Sequence, residues 1–169
     1  MKVVAGIVVV LAAIAAYAHW PITPLPQGAK ADRVVIVKHE RSLSLMSGGD
    51  VLKNYSVSLG GNPVGAKTQE GDRKTPEGLY RIDYRKPDSA FHRALHVSYP
   101  SEKDKSHAAS LGVNPGGLIM IHGIRNGLGM IGRWHRLVDW TNGCIAATDA
   151  EIEQIWSAVP DGTPVEIRP

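Results

Sequence analysis

Beyond residue 32 the chain alternates short apolar runs with clusters of turn-forming residues. "RVVIVKH" (33–39) is apolar and β-branched. In "RSLSLMS" (41–47), Leu43 and Leu45 share one side of a period-two pattern and Ser42 and Ser44 the other. The turn cluster "SGGD" (47–50) separates this run from "VLKNYSVSLG" (51–60), so a β-meander is expected. Strand character resumes in "LYRIDYR" (79–85), "ALHVSYP" (94–100) and "TPVEIR" (163–168). "GGLIMIHG" (116–123), apolar and bounded by glycines, reads as a buried strand ending at His122. The period changes after Thr148. Thr148-Asp149-Ala150-Glu151 forms a capping box, and Ile152, Ile155 and Trp156 follow as one helical stripe. Ser101 is the N-cap candidate of a second, shorter helix within 101–112. The pattern predicts a mainly β domain with one or two short helices.

Two segments stand outside this alternation. Met1-Lys2 precedes the apolar run 3–18, which ends in the small-x-small sequence Ala16-Tyr17-Ala18. This matches a secretory signal peptide cleaved after Ala18, with an uncleaved N-terminal membrane anchor as the alternative. The run is short for a membrane span, which takes about 20 residues. Either reading makes the protein exported, to the periplasm or the outer face of the cytoplasmic membrane. Residues 19–32, "HWPITPLPQGAKAD", carry three prolines and read as a linker, which leaves 33–169 as the domain. The second segment is the loop "GGNPVGAKTQEGDRKTPEG" (60–78), too long for a hairpin connection. Lys67, Asp72 and Lys74 are expected to order it or to sit in solvent.

Composition narrows the function only slightly. The chain has 169 residues, enough for one self-sufficient core, and a net charge of +3. That mild basic bias leaves cell-wall polymer, membrane surface and nucleic acid open.

Cys144 is the only cysteine, so no disulfide forms within the chain. It is either a buried small hydrophobe or a reactive thiol. Gly143 before it frees the backbone for unusual φ/ψ and close approach, which would let the Gly143 and Cys144 amides meet a developing oxyanion. Six histidines beyond the linker, His39, His92, His96, His107, His122 and His135, are candidate bases. His122 stands out, presented by a rigid strand end and followed by glycine. A zinc site from His122, His135 and Cys144 matches no compact ligand spacing, so neither metal nor cofactor is expected.

"IMIHG", then "TNGCIA" with His122 and Cys144 22 residues apart, resembles the YkuD-type L,D-transpeptidase domain. "SLGGNPVGAK" (58–67) and "GDRKTPEG" (71–78) resemble that family's upstream segments, and the "DWT-x-GCIA" version resembles a subgroup of it. The resemblance runs from about Arg33 to the C-terminus. It implies a β-sandwich-like fold, Cys144 as nucleophile, His122 as general base and the Gly143 backbone amide as oxyanion donor. It further implies peptidoglycan stem peptides as substrate, a wall-linked lipoprotein as a possible partner, carbapenem-type inhibitors, and no nucleic acid. Two positions depart from the common pattern: Asn142 stands where many members have a second histidine, and Ala146 where they have arginine. Asn142, His135 and Arg125 are the candidate substrate-binding residues, with Arg133 and Arg136 as further substitutes for the missing charge. Trp134 and Trp140 are expected to pack rather than to bind sugar.

Overall fold

The computed structural model describes residues 2–169. Eight strands form one curled sheet in the order β3-β2-β1-β8-β4-β5-β6-β7. β1 (Arg33–Val37), β2 (Ser42–Ser47) and β3 (Asp50–Ser56) are the expected meander, with Leu43 and Leu45 fully buried. β4 (Gly78–Ser89) is the longest strand and the one on which the sheet turns. Its first residues pair with β8 (Pro164–Arg168) and its later ones with β5 (His92–Val97). Bulges lie between Ile82 and Tyr84 and between Lys86 and Ser89. The second spans Pro87, which has no N–H to give to a ladder.

β6 (Met120–His122) and β7 (Ile145–Ala146) close the far edge and pair in parallel, with Ile121 opposite Ile145 and His122 opposite Ala146. Ile36, Leu45, Ile82, Leu95, Ile121, Ile145, Ile152 and Ile155 form the centre of the core. α3 (Asp149–Ala158) covers β5 with Ile152 and Ile155, and its Thr148–Glu151 capping box is present as the sequence predicts. α2 (Glu102–Ser110) starts from Ser101, also through a capping box.

Two further helical pieces add to those expected. α1 (Lys2–Ala18) is the apolar run, and among the described residues no helix is long and apolar enough to cross a membrane. A 3-10 segment spans Gly129–Leu137, between the two chemical motifs. Residues 19–32 have no regular structure, turn at Gln27-Gly28, and are docked: the Thr23 carbonyl accepts from Lys53 and Gln154, and the Ala31 amide donates to the Ala158 carbonyl.

Candidate active site

The β6–β7 register decides which residues meet. With Ile121 opposite Ile145, Cys144 falls beside Met120, whose N–H donates to Sγ at 3.4 Å. Successive strand residues face opposite ways, so His122 shares a face with Met120. The two residues the sequence keeps 22 positions apart therefore open into one cavity of about 320 Å³. Ser89, Phe91, Leu118, Trp140, Thr141 and Asn142 also line it.

Cys144 rests as a thiol. Its sulfur lies 3.6 Å from the Leu118 carbonyl, which accepts the S–H. Leu118 holds a φ of 55°, unusual for a residue with a side chain. Burial pushes the Cys144 pKa up, against the Met120 amide and the Lys67 ammonium, which pull it down. His122 rests neutral. Burial drives its pKa down, and the bond to Gly123 opposes this. His122 Nδ1 lies 2.6 Å from the Gly123 carbonyl, which can only accept. Nδ1 therefore carries the proton and Nε2 the free lone pair, the form a general base requires. Phe91 packs on the imidazole at 4.6 Å between ring centres.

The cysteine turn is tied from within by Thr141. Its hydroxyl donates to the Cys144 carbonyl at 2.8 Å and accepts from the Gly143 amide at 3.1 Å. The Gly143 N–H, expected to face an oxyanion, is thus bonded to the Thr141 hydroxyl in this structure. The Cys144 amide has no acceptor among the described residues. Gly143 serves the backbone instead, at φ 120°, where a Cβ would lie 2.5 Å from the Lys74 carbonyl.

That carbonyl belongs to the long loop, which is ordered as a clasp around the turn. Asp72 accepts from Lys67 Nζ at 2.8 Å and from the Thr68, Gln69 and Lys74 amides. These bonds hold its carboxyl at about 2, against the cost of burial. Gly61 N–H donates to the Thr141 carbonyl, and Thr141 N–H to the Leu59 carbonyl. Asp139 anchors the other flank, accepting from Arg41 and from the Leu59 amide.

The remaining candidates divide. Asn142 is exposed on the cavity rim. Arg125 is exposed and does not line the cavity. Arg136 is bound to the buried carboxylate of Glu151, so it is no free anion binder. Ala146 is fully buried, exchanging both of its backbone hydrogen bonds with Ser58 on one side and lying opposite His122 on the other. His135 is buried behind Trp140, outside the lining. Trp140, expected only to pack, forms a wall of the cavity, and its place beside the cysteine motif was the available signal. Phe91 and Leu118 had none, because sheet pairing alone brings them there. Among the described residues no group of three or more His, Cys, Asp or Glu is placed to hold a metal.

Comparisons with known proteins bear on the family and the fold. Residues 31–167 match the family described as the YkuD L,D-transpeptidase catalytic domain. YafK of Escherichia coli K12, named as a candidate L,D-transpeptidase, is 29% identical over 132 residues, 75% of this chain and 46% of its own. This chain thus spans about half the length of that relative. The helical cell shape determining protein Pgp2 of Campylobacter jejuni superposes with a TM-score of 0.59 at 25% identity, over 79% of this chain and 46% of that one. Bd1075 of Bdellovibrio bacteriovorus shares the fold, with a TM-score of 0.55 at 22% identity over 85% and 50%. This chain belongs to the YkuD family of L,D-transpeptidase catalytic domains.

Proposed function

We propose that the domain is an exported cysteine acyltransferase acting on peptidoglycan stem peptides. One observation carries the reading: Cys144 and a His122 with its Nε2 lone pair free open into the same cavity. The thiol gives its proton to Nε2 as sulfur bonds to the carbonyl carbon of the third stem residue, usually meso-diaminopimelate. The Cys144 N–H faces the developing oxyanion. The C–N bond to the terminal D-alanine then breaks, its nitrogen takes the proton back from His122, and a thioester remains. An amine attacks the thioester, His122 accepts its proton, and the thiolate leaves and is reprotonated. With another stem peptide as amine donor the product is a 3→3 cross-link; a wall-linked lipoprotein is the other acceptor. Burial disfavours charge on both groups, raising the Cys144 pKa and lowering that of His122, which favours moving the proton during attack. Carbapenem-type β-lactams fit the same step, their strained carbonyl taking the place of the peptide's.

A second reading gives water the acceptor role and makes the enzyme a wall hydrolase or a wall–protein releasing amidase. Ala146 favours it. The family's usual arginine is replaced by a buried methyl, and among the described residues no arginine or lysine lines the cavity to bind an acceptor's carboxylate.

Incubating the protein with a disaccharide-tetrapeptide and weighing the products decides. Dimers mean transfer, and trimmed monomers mean hydrolysis. No D-alanine release and no acyl adduct on Cys144 sinks both, and Cys144→Ala is the control. A non-catalytic wall-binding module would instead keep Cys144 unreactive toward iodoacetamide.

A further inference from the structure

The cavity's aromatic wall is held from behind by a histidine with no part in the steps above. His135 is 7% exposed and sits in the 3-10 segment. Its Nδ1 lies 3.3 Å from Trp140 Nε1 and 3.3 Å from Ser58 Oγ, which is also 3.1 Å from the His135 carbonyl. The Ser58 hydroxyl has one proton and faces two acceptors, the His135 carbonyl and Nδ1, so it does not decide the tautomer; Trp140 does. An indole N–H can only donate, so Nδ1 must be bare and His135 is the Nε2–H tautomer. Nε2 is buried without a protein partner among the described residues. That is an unfavourable arrangement, and it persists because Trp140 requires the opposite nitrogen.

Trp140 in turn stands against the proposed base. Its ring meets His122 edge-on at 5.7 Å and Phe91 at 6.0 Å, while His135 meets it at 6.3 Å and 87°. The chain of contacts thus runs from Ser58 through His135 and Trp140 to His122.

We propose that His135 is a positioning residue of the active site: its Nδ1 lone pair fixes the Trp140 indole as one wall of the Cys144 cavity and, through it, the orientation of His122. The inference rests on the acyl-transfer reading only for its kinetic consequence. The test uses the ¹⁵N-labelled full chain, in which the Trp140 indole N–H resonance is identified by its loss in Trp140→Phe. In His135→Leu that resonance moves upfield and exchanges faster with solvent. In His135→Asn, whose Oδ1 can stand close to the Nδ1 position, it stays near the wild-type shift. Acylation of Cys144 by the disaccharide-tetrapeptide slows by roughly ten- to a hundredfold in His135→Leu, and His135→Asn recovers part of the rate. Trp140→Phe keeps an aromatic ring but removes the donor. It reproduces the loss, and His135→Leu added to it costs nothing more. An unmoved indole resonance in His135→Leu, or losses that add, overturns the proposal. If the wild type acylates with no muropeptide, the proposed function fails; the indole resonance and the rate of iodoacetamide alkylation of Cys144 across the same variants still decide the role of His135.

Discussion

The Thr141 hydroxyl donates to the Cys144 carbonyl at 2.8 Å while accepting the Gly143 amide at 3.1 Å, so one side chain closes the turn that carries the thiol. Thr141→Val keeps the shape and removes both bonds. It leaves a buried amide and a carbonyl unpaired, at about 1–3 kcal/mol each. The expected outcome is a clearly lower melting temperature together with slower Cys144 acylation. Thr141→Ser retains both functions. Thermal melts with acylation rates check this, and a Thr141→Val protein equal to wild type in both would refute the role.

Gly143 must lack a side chain for two reasons: φ is 120°, and a Cβ would lie 2.5 Å from the Lys74 carbonyl, which is backbone and cannot swing aside. Gly143→Ala is expected to cost about 1–3 kcal/mol from φ alone, with the clash added, and to displace the thiol. Gly48→Ala is the comparison, since it has φ 61° and open space around it, and it should leave acylation unchanged. Denaturant unfolding and acylation of both variants test the contrast.

Lys67 is a buried ammonium bound to Asp72, and its charge pulls the Cys144 pKa down. Lys67→Met should shift the pH midpoint of iodoacetamide alkylation at Cys144 upward, and Lys67→Arg should shift it less. Breaking the buried pair should also cost about 3–5 kcal/mol, since Asp72 loses its cation. Alkylation rates measured across the alkaline range would contradict the electrostatic part if the midpoint of a folded Lys67→Met protein did not move.

His135 makes stability depend on pH. Burial, with Arg136 beside it, lowers its pKa from 6.5 to about 4; Glu151 opposes this and His122 adds to it. A histidine depressed on folding contributes stability that is fully present above 6.5 and is lost as pH falls toward about 4. The loss is on the order of 3 kcal/mol across that window. Burial of His122 acts in the same direction. Asp72, held at about 2, keeps its contribution to lower pH. Melts between pH 7 and 4 should fall steadily in the wild type and less steeply in His135→Leu. Parallel slopes for the two proteins would count against a buried neutral His135.

Local chemistry carried much of this protein in its sequence. The alternation of Leu43 and Leu45 with serines, the Thr148–Glu151 box and the Ile152–Ile155 stripe depend on neighbours within one turn or one strand, so the pattern alone determined those elements. The lone Cys144 and the strand-end His122 were also legible, because each motif is contiguous. Tertiary structure decided what lies between them. The parallel β6–β7 register brings Cys144 alongside Met120 and so into the His122 cavity. It also exposes facts that depend on where a bond ends: Gly143 N–H at Thr141, Arg136 at Glu151, and His135 behind Trp140. A residue's type fixes which bonds it is able to make. Only the pairing of strands distant in sequence fixes the partner it has, and that partner determines whether an amide, an arginine or a histidine remains free to act on a substrate.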